Sequence, residues 1–98
     1  MIWEKMDVVK IRKFLQEVCP KAIMVDGFDD CIIGVSITLP NDTNVVYSKM
    51  AIIRSLMRKG KMSYFDAIEF FEFNIQGTKF KQSIEPMFYD DLPHPSLN

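Results

Sequence analysis

The chain has 98 residues, a hydrophobic content of 48% and a net charge of −1, enough apolar material for one packed domain without metal or disulfide staples. That balance excludes a disordered chain, and it excludes a global field strong enough to draw the molecule to nucleic acid or to a membrane. No apolar run approaches the ~20 residues that span a bilayer, and Cys19 and Cys31 lack the CxxC or Cys/His spacing of a metal or redox site.

Glu4, Lys5 and Asp7 at the start do not read as a signal peptide, so the expected setting is a reducing cytosol with both thiols unbridged. Asp7 is placed to cap a helix over residues 7–19, whose Val8, Ile11, Leu15 and Val18 form an apolar stripe with Phe14 at its edge. Lys10, Lys13, Gln16 and Glu17 face the other way, and Pro20 ends the helix. Ala22 to Val25 reads as a short strand. Asp26 to Asp30 then form a turn in which Gly27 takes a positive φ. Cys31 to Leu39 alternates strictly, with Cys31, Ile33, Val35, Ile37 and Leu39 on one side, and Gly34 on the other marks a bulge or a close contact. Residues 40–44 make a turn cluster, and Val45 to Tyr47 a third strand.

Ser48 is a natural N-cap for a helix from Lys49 to Lys59, with Met50, Ile53, Leu56 and Met57 inward, Ile52 beside them and Gly60 at C′. A further helix begins at Ser63, which forms an S-x-x-D capping box with Asp66, and ends at Gly77. Residues 78–89 are mixed, with a short strand near Phe80 and a break at Pro86. Residues 90–98 read as a flexible tail on a single domain spanning 1–89. The expected fold is α+β: an N-terminal helix, a three-stranded antiparallel meander, and two C-terminal helices packed on one face of the sheet.

The aromatic helix carries more apolar surface than one core uses. Tyr64, Ala67, Ile68, Phe71 and Ile75 make one stripe, while Phe73 lies on the opposite side between Asp66 and Glu69, flanked by Phe65 and Phe70. Such a helix is either sandwiched between two layers of core or presents one side to a partner. The residues assigned to the partner side are Phe65, Glu69, Phe70, Glu72 and Phe73. If Phe73 is exposed, a homo-oligomer is the simplest occupant.

The charge is blocked along the sequence: +2 over residues 1–21, −4 over 22–48, +5 over 49–61 and −4 over 62–98. The basic block reads first as a solvated face balancing its acidic neighbours. Its alternative is a ligand or nucleic-acid site, with Arg54, Arg58 and Lys61 on one exposed side and Tyr47 and Tyr64 near in sequence to stack on a base.

Asp26, Asp29 and Asp30 crowd one turn but lack the alternate spacing and terminal Glu of a calcium loop. Glu72 and Asn74 sit two residues apart on a helix and so diverge. A cysteine nucleophile would find only His94 as its base. No catalytic residue, metal or cofactor is therefore assigned.

From Asp26 onward, the motifs Asp26-Gly27-Phe28-Asp29-Asp30, Gly34, Tyr47, Met62-Ser63, Phe71-Glu72-Phe73-Asn74, Gly77 and Pro86-Met87-Phe88 resemble a family of small uncharacterised proteins encoded by tailed bacteriophages and prophages. Ser48 stands where that family has Asp, Lys61 where it has Gly, and Thr78 after the glycine where a smaller residue is usual, which weakens any role tied to the C-terminal loop. The resemblance implies a viral origin and this order of elements, and no activity. The resulting expectation is a non-catalytic phage accessory protein in the host cytoplasm that binds a host factor, such as a defence or regulatory protein. The alternative is a module binding a nucleotide-like ligand or nucleic acid through Tyr47, Arg54, Arg58 and Lys61.

Overall fold

The computed structural model describes residues 7–39, 42–76 and 84–93. Helix α1 spans Val8–Val18 and is capped by Asp7, whose carboxylate accepts from the Lys10 N–H at 2.9 Å. Ile11 and Leu15 are buried, and Lys10, Lys13, Gln16 and Glu17 face outward. A short 3₁₀ turn, Asp29–Cys31, leads into β1, Ile32–Leu39; β2 follows at Asp42–Ser48, then α2 at Lys49–Lys59 and α3 at Tyr64–Phe70. The α3 backbone continues as a π-helical turn over Phe71–Gln76, and β3 is Met87–Tyr89.

Among the described residues, three helices and a three-stranded sheet make an α+β domain, but the sheet is mixed, not an antiparallel meander. Its order is β1-β2-β3, with β1 antiparallel and β3 parallel to β2. Ala22 to Val25, expected as the first strand, makes one isolated parallel bridge among the described residues, Ala22 to Ile84. The second edge of β2 is taken instead by β3, after two helices. A parallel neighbour cannot be reached through a tight turn and needs a long crossover, which α2 and α3 supply. Gly77, the strand expected near Phe80, and His94 lie outside the described residues.

Gly34 does sit at a bulge. The register slips between Ile32 and Gly34, inserting one extra residue against β2. One extra residue reverses the alternation, so Ile32 and Val35 both pack on the core, where strict alternation had paired Ile33 with Val35. Ile37, expected on the covered side, is 55% exposed.

The core gathers on one side of β2. Val45 and Tyr47 meet Ile11 and Leu15 of α1, Ile52, Ile53 and Leu56 of α2, and Ala67, Phe71 and Ile75 of the aromatic helix. The inward side of α2 is centred on Ile52, Ile53 and Leu56 with Ser55 buried beside them, and Met57, expected inward, is exposed. Residues 90–93, expected in a flexible tail, are docked. Leu92 is buried in the core, and Asp91 binds the start of α2, accepting from Ser48 Oγ at 2.5 Å and from the Met50 N–H at 2.7 Å. Beside it Lys49 pairs with Asp90 at 3.7 Å and lies over the Phe71 ring, 5.3 Å from its centroid. Among the described residues, no helix is long and apolar enough to cross a membrane.

Candidate functional site

Ser63 begins the aromatic helix by accepting from the Asp66 N–H at 3.2 Å. Ala67, Phe71 and Ile75 are buried, and Phe71, fully enclosed, meets Phe88 of β3 edge-on at 5.1 Å. These buried residues recur every four positions. In an α-helix each four-residue step drifts by ~40°. The π turn is wider and advances less per residue, so it brings Ile75 back over the core. Phe71-Glu72-Phe73-Asn74, the most distinctive of the quoted motifs, lies wholly within this turn.

The opposite side is open. Phe65 is 80% and Phe73 75% exposed, and Phe70 is partly exposed. Phe73 is therefore not part of a second core layer among the described residues. Met62, Asp66, Glu69, Phe70, Phe73 and Asn74 line a shallow groove of about 550 Å³. Of the residues assigned to a partner surface, Glu69, Phe70 and Phe73 meet in this groove. Phe65 and Glu72 are exposed but outside its lining, with Phe65 edge-on to Tyr64 at 5.7 Å. Met62, Asp66 and Asn74 also line it, although the sequence assigned them no such role. Asp66 precedes Phe70 by four positions, a helical spacing that places it on the same side, and Met62 lies just before the Ser63 cap.

The basic face divides. Arg54, Arg58 and Lys61 are exposed, and no ion pair engages them among the described residues. Lys59 instead reaches Asp30 at 3.9 Å. The expected balance between this face and the acidic helix after it is thus absent as direct ion pairs among the described residues. Tyr47 does not belong to a ligand surface. It is fully buried, packs on Phe88, and its hydroxyl accepts from the Val25 N–H at 2.7 Å. Burial pushes its pKa up to about 12 against the opposing pull of that hydrogen bond. A tyrosine that holds residue 25 to the sheet cannot stack on a base.

The acidic turn is engaged internally: Asp29 pairs with Arg12 at 3.2 Å and Asp30 with Lys59. Among the described residues, no three His, Cys, Asp or Glu side chains converge as metal ligands. Cys31 is buried, and its thiol is pushed up to about 12 by burial first, then by the Asp30 charge and the hydrogen bond to it. It stays protonated at neutral pH and is a poor nucleophile.

No protein-family model matches the chain, and neither a curated protein nor a solved structure does.

Proposed function

We propose that this chain is a non-catalytic accessory protein of phage origin that binds a host protein, of a defence or regulatory kind, in the host cytoplasm. The exposed side of the aromatic helix, with Phe65, Glu69, Phe70, Glu72 and Phe73, is the contact. The observation that carries this reading is the pair Phe65 and Phe73, 80% and 75% exposed on a helix whose other side buries Ala67, Phe71 and Ile75 in the core. Leaving an aromatic side chain in water forgoes roughly 1.5–3 kcal/mol of burial, and clustered exposed aromatics mark contact surfaces. The phage origin rests on the quoted motifs. The test is a tagged pull-down from bacterial host lysate with the Phe73→Ser variant alongside. A host protein retained by the parent chain and lost by the variant is expected; identical profiles for the two baits would count against the reading.

A second reading is a nucleotide-like or nucleic-acid ligand held by Arg54, Arg58 and Lys61. It is favoured by their exposure without an ion pair among the described residues. Oligonucleotide binding that weakens with salt, and weakens further in Arg54→Ala and Arg58→Ala, is its expected result. Binding unaffected by either substitution would remove it.

A further inference from the structure

We infer that the groove on the aromatic helix takes a cationic amphipathic segment of its partner, one whose Lys or Arg side chains lie along the phenylalanines and end on the carboxylates. This rests on the reading of that helix as a protein-binding surface and specifies the chemistry of what binds.

The groove is not uniformly apolar. Phe70, Phe73 and Met62 supply its apolar surface, and Asp66 and Glu69 line the same depression. Glu72 is exposed one position before Phe73. Among the described residues no cation answers these carboxylates: residues 62–76 contain no Lys or Arg, and no described ion pair reaches Asp66, Glu69 or Glu72. Any occupant that covers the phenylalanines also withdraws two carboxylates from water. An uncharged apolar occupant would leave them desolvated and unpaired, which is strongly unfavourable. A second copy docked by the same face across a two-fold axis would set this acidic rim against itself. A Lys or Arg side chain meets both demands, since its aliphatic stem packs on an aromatic ring while its charged head reaches a carboxylate. The groove runs along a helix, with lining residues at three- and four-residue spacing, so the partner's matching residues are most simply presented by a helix crossing it.

The experiment uses the full chain and three fluorescent peptides of about 14 residues, near four helical turns. All share one leucine stripe, and their polar positions are Lys, Glu or Gln. Binding is read by anisotropy. The Lys peptide is expected to bind with an affinity that falls as salt rises, and to weaken by at least about tenfold in Phe73→Ser and in the double variant Asp66→Asn, Glu69→Gln. The Glu and Gln peptides are expected not to bind. All of the substituted residues are exposed, and a thermal melt checks that each variant folds. Equal binding of the Lys and Gln peptides, lost in Phe73→Ser, would overturn the cationic inference and leave the aromatic contact standing. Lys-peptide binding unchanged in Phe73→Ser would overturn the inference and also count against this surface as a contact. Concentration-dependent dimerisation of the free chain that Phe73→Ser abolishes would overturn the inference in favour of a second copy.

Discussion

Phe71 and Phe73 stand two residues apart and have opposite fates, which makes them the sharpest comparison in the chain. Phe71 is fully buried against Phe88, and Phe73 is 75% exposed. Phe71→Ala is expected to cost about 3–5 kcal/mol and Phe73→Ser to change stability by no more than about 0.5 kcal/mol, read by urea denaturation. The reverse order would place the core on the other side of the helix. Tyr47 makes a second residue-scale prediction. Tyr47→Phe keeps the ring and removes the oxygen that accepts the Val25 N–H, so it is expected to cost about 1–2 kcal/mol in the same assay. The burial of Tyr47 was not legible from its sequence position, because a tyrosine beside a basic helix looks the same whether its hydroxyl faces water or a backbone amide. The two-sided apolar character of the aromatic helix was legible, since Phe73 between Asp66 and Glu69 breaks the pattern of a one-sided helix, but an aromatic on that second side reads the same whether it enters a second core layer or faces water.

At the scale of elements, the helix boundaries were the most readable part of the sequence. Asp7, Ser48 and Ser63 each accept a backbone N–H at the start of a helix, as their residue types and positions imply. The end of α2 differs in one respect. Gly60 keeps a right-handed backbone, and the left-handed turn falls on Lys61 at φ 53°. A glycine takes that conformation without the steric cost of a Cβ, so Lys61→Gly is expected to stabilise the domain by about 0.5–1 kcal/mol, seen as a higher Tm. Gly60 has its own constraint, because a Cβ there would lie 2.7 Å from the Leu56 carbonyl oxygen.

The start of α2 carries a pH prediction. Partial burial raises the Asp91 pKa, but the hydrogen bonds from Ser48 and Met50 outweigh it, and the net shift is downward. A carboxyl with a depressed folded-state pKa contributes stability that is present above its unfolded pKa, near 4, and is lost as pH falls through the folded value. Asp91→Asn is therefore expected to lower stability by about 1 kcal/mol at neutral pH. The gap should close as the pH falls below about 4 in parallel melts. A gap that persists in acid would mean that the side chain acts through packing instead of charge. The strand alternation was misread for a reason at this same scale: a bulge changes which residues face inward, and only the glycine that permits it is visible in advance.

For the whole molecule, the least legible feature was the sheet's closure. β3 is three residues long and follows a proline, so nothing local marks it as the neighbour of β2. Its place is set by long-range packing: Phe88 between Tyr47 and Phe71, Asn44 donating to the Glu85 carbonyl at 2.7 Å, and Leu92 entering the core. Removing residues 90–98 is expected to destabilise the domain by roughly 2–4 kcal/mol, since it deletes a buried leucine and the charged contacts to α2. In a domain of this size that lowers Tm by well over about 8 °C. An unchanged melting curve would show that these contacts contribute nothing.

The parallel pairing of β2 with β3 also sets an order of events during synthesis. Asn44 and its partner Glu85 are 41 residues apart, so the second edge of β2 is made long before the strand that covers it. Until residues 87–92 leave the ribosome, a nascent chain holds an unpaired strand edge above a core that lacks Phe88 and Leu92. Translation stalled in this interval would yield a product prone to edge-to-edge association, and the sheet closes over β2 only when β3 arrives.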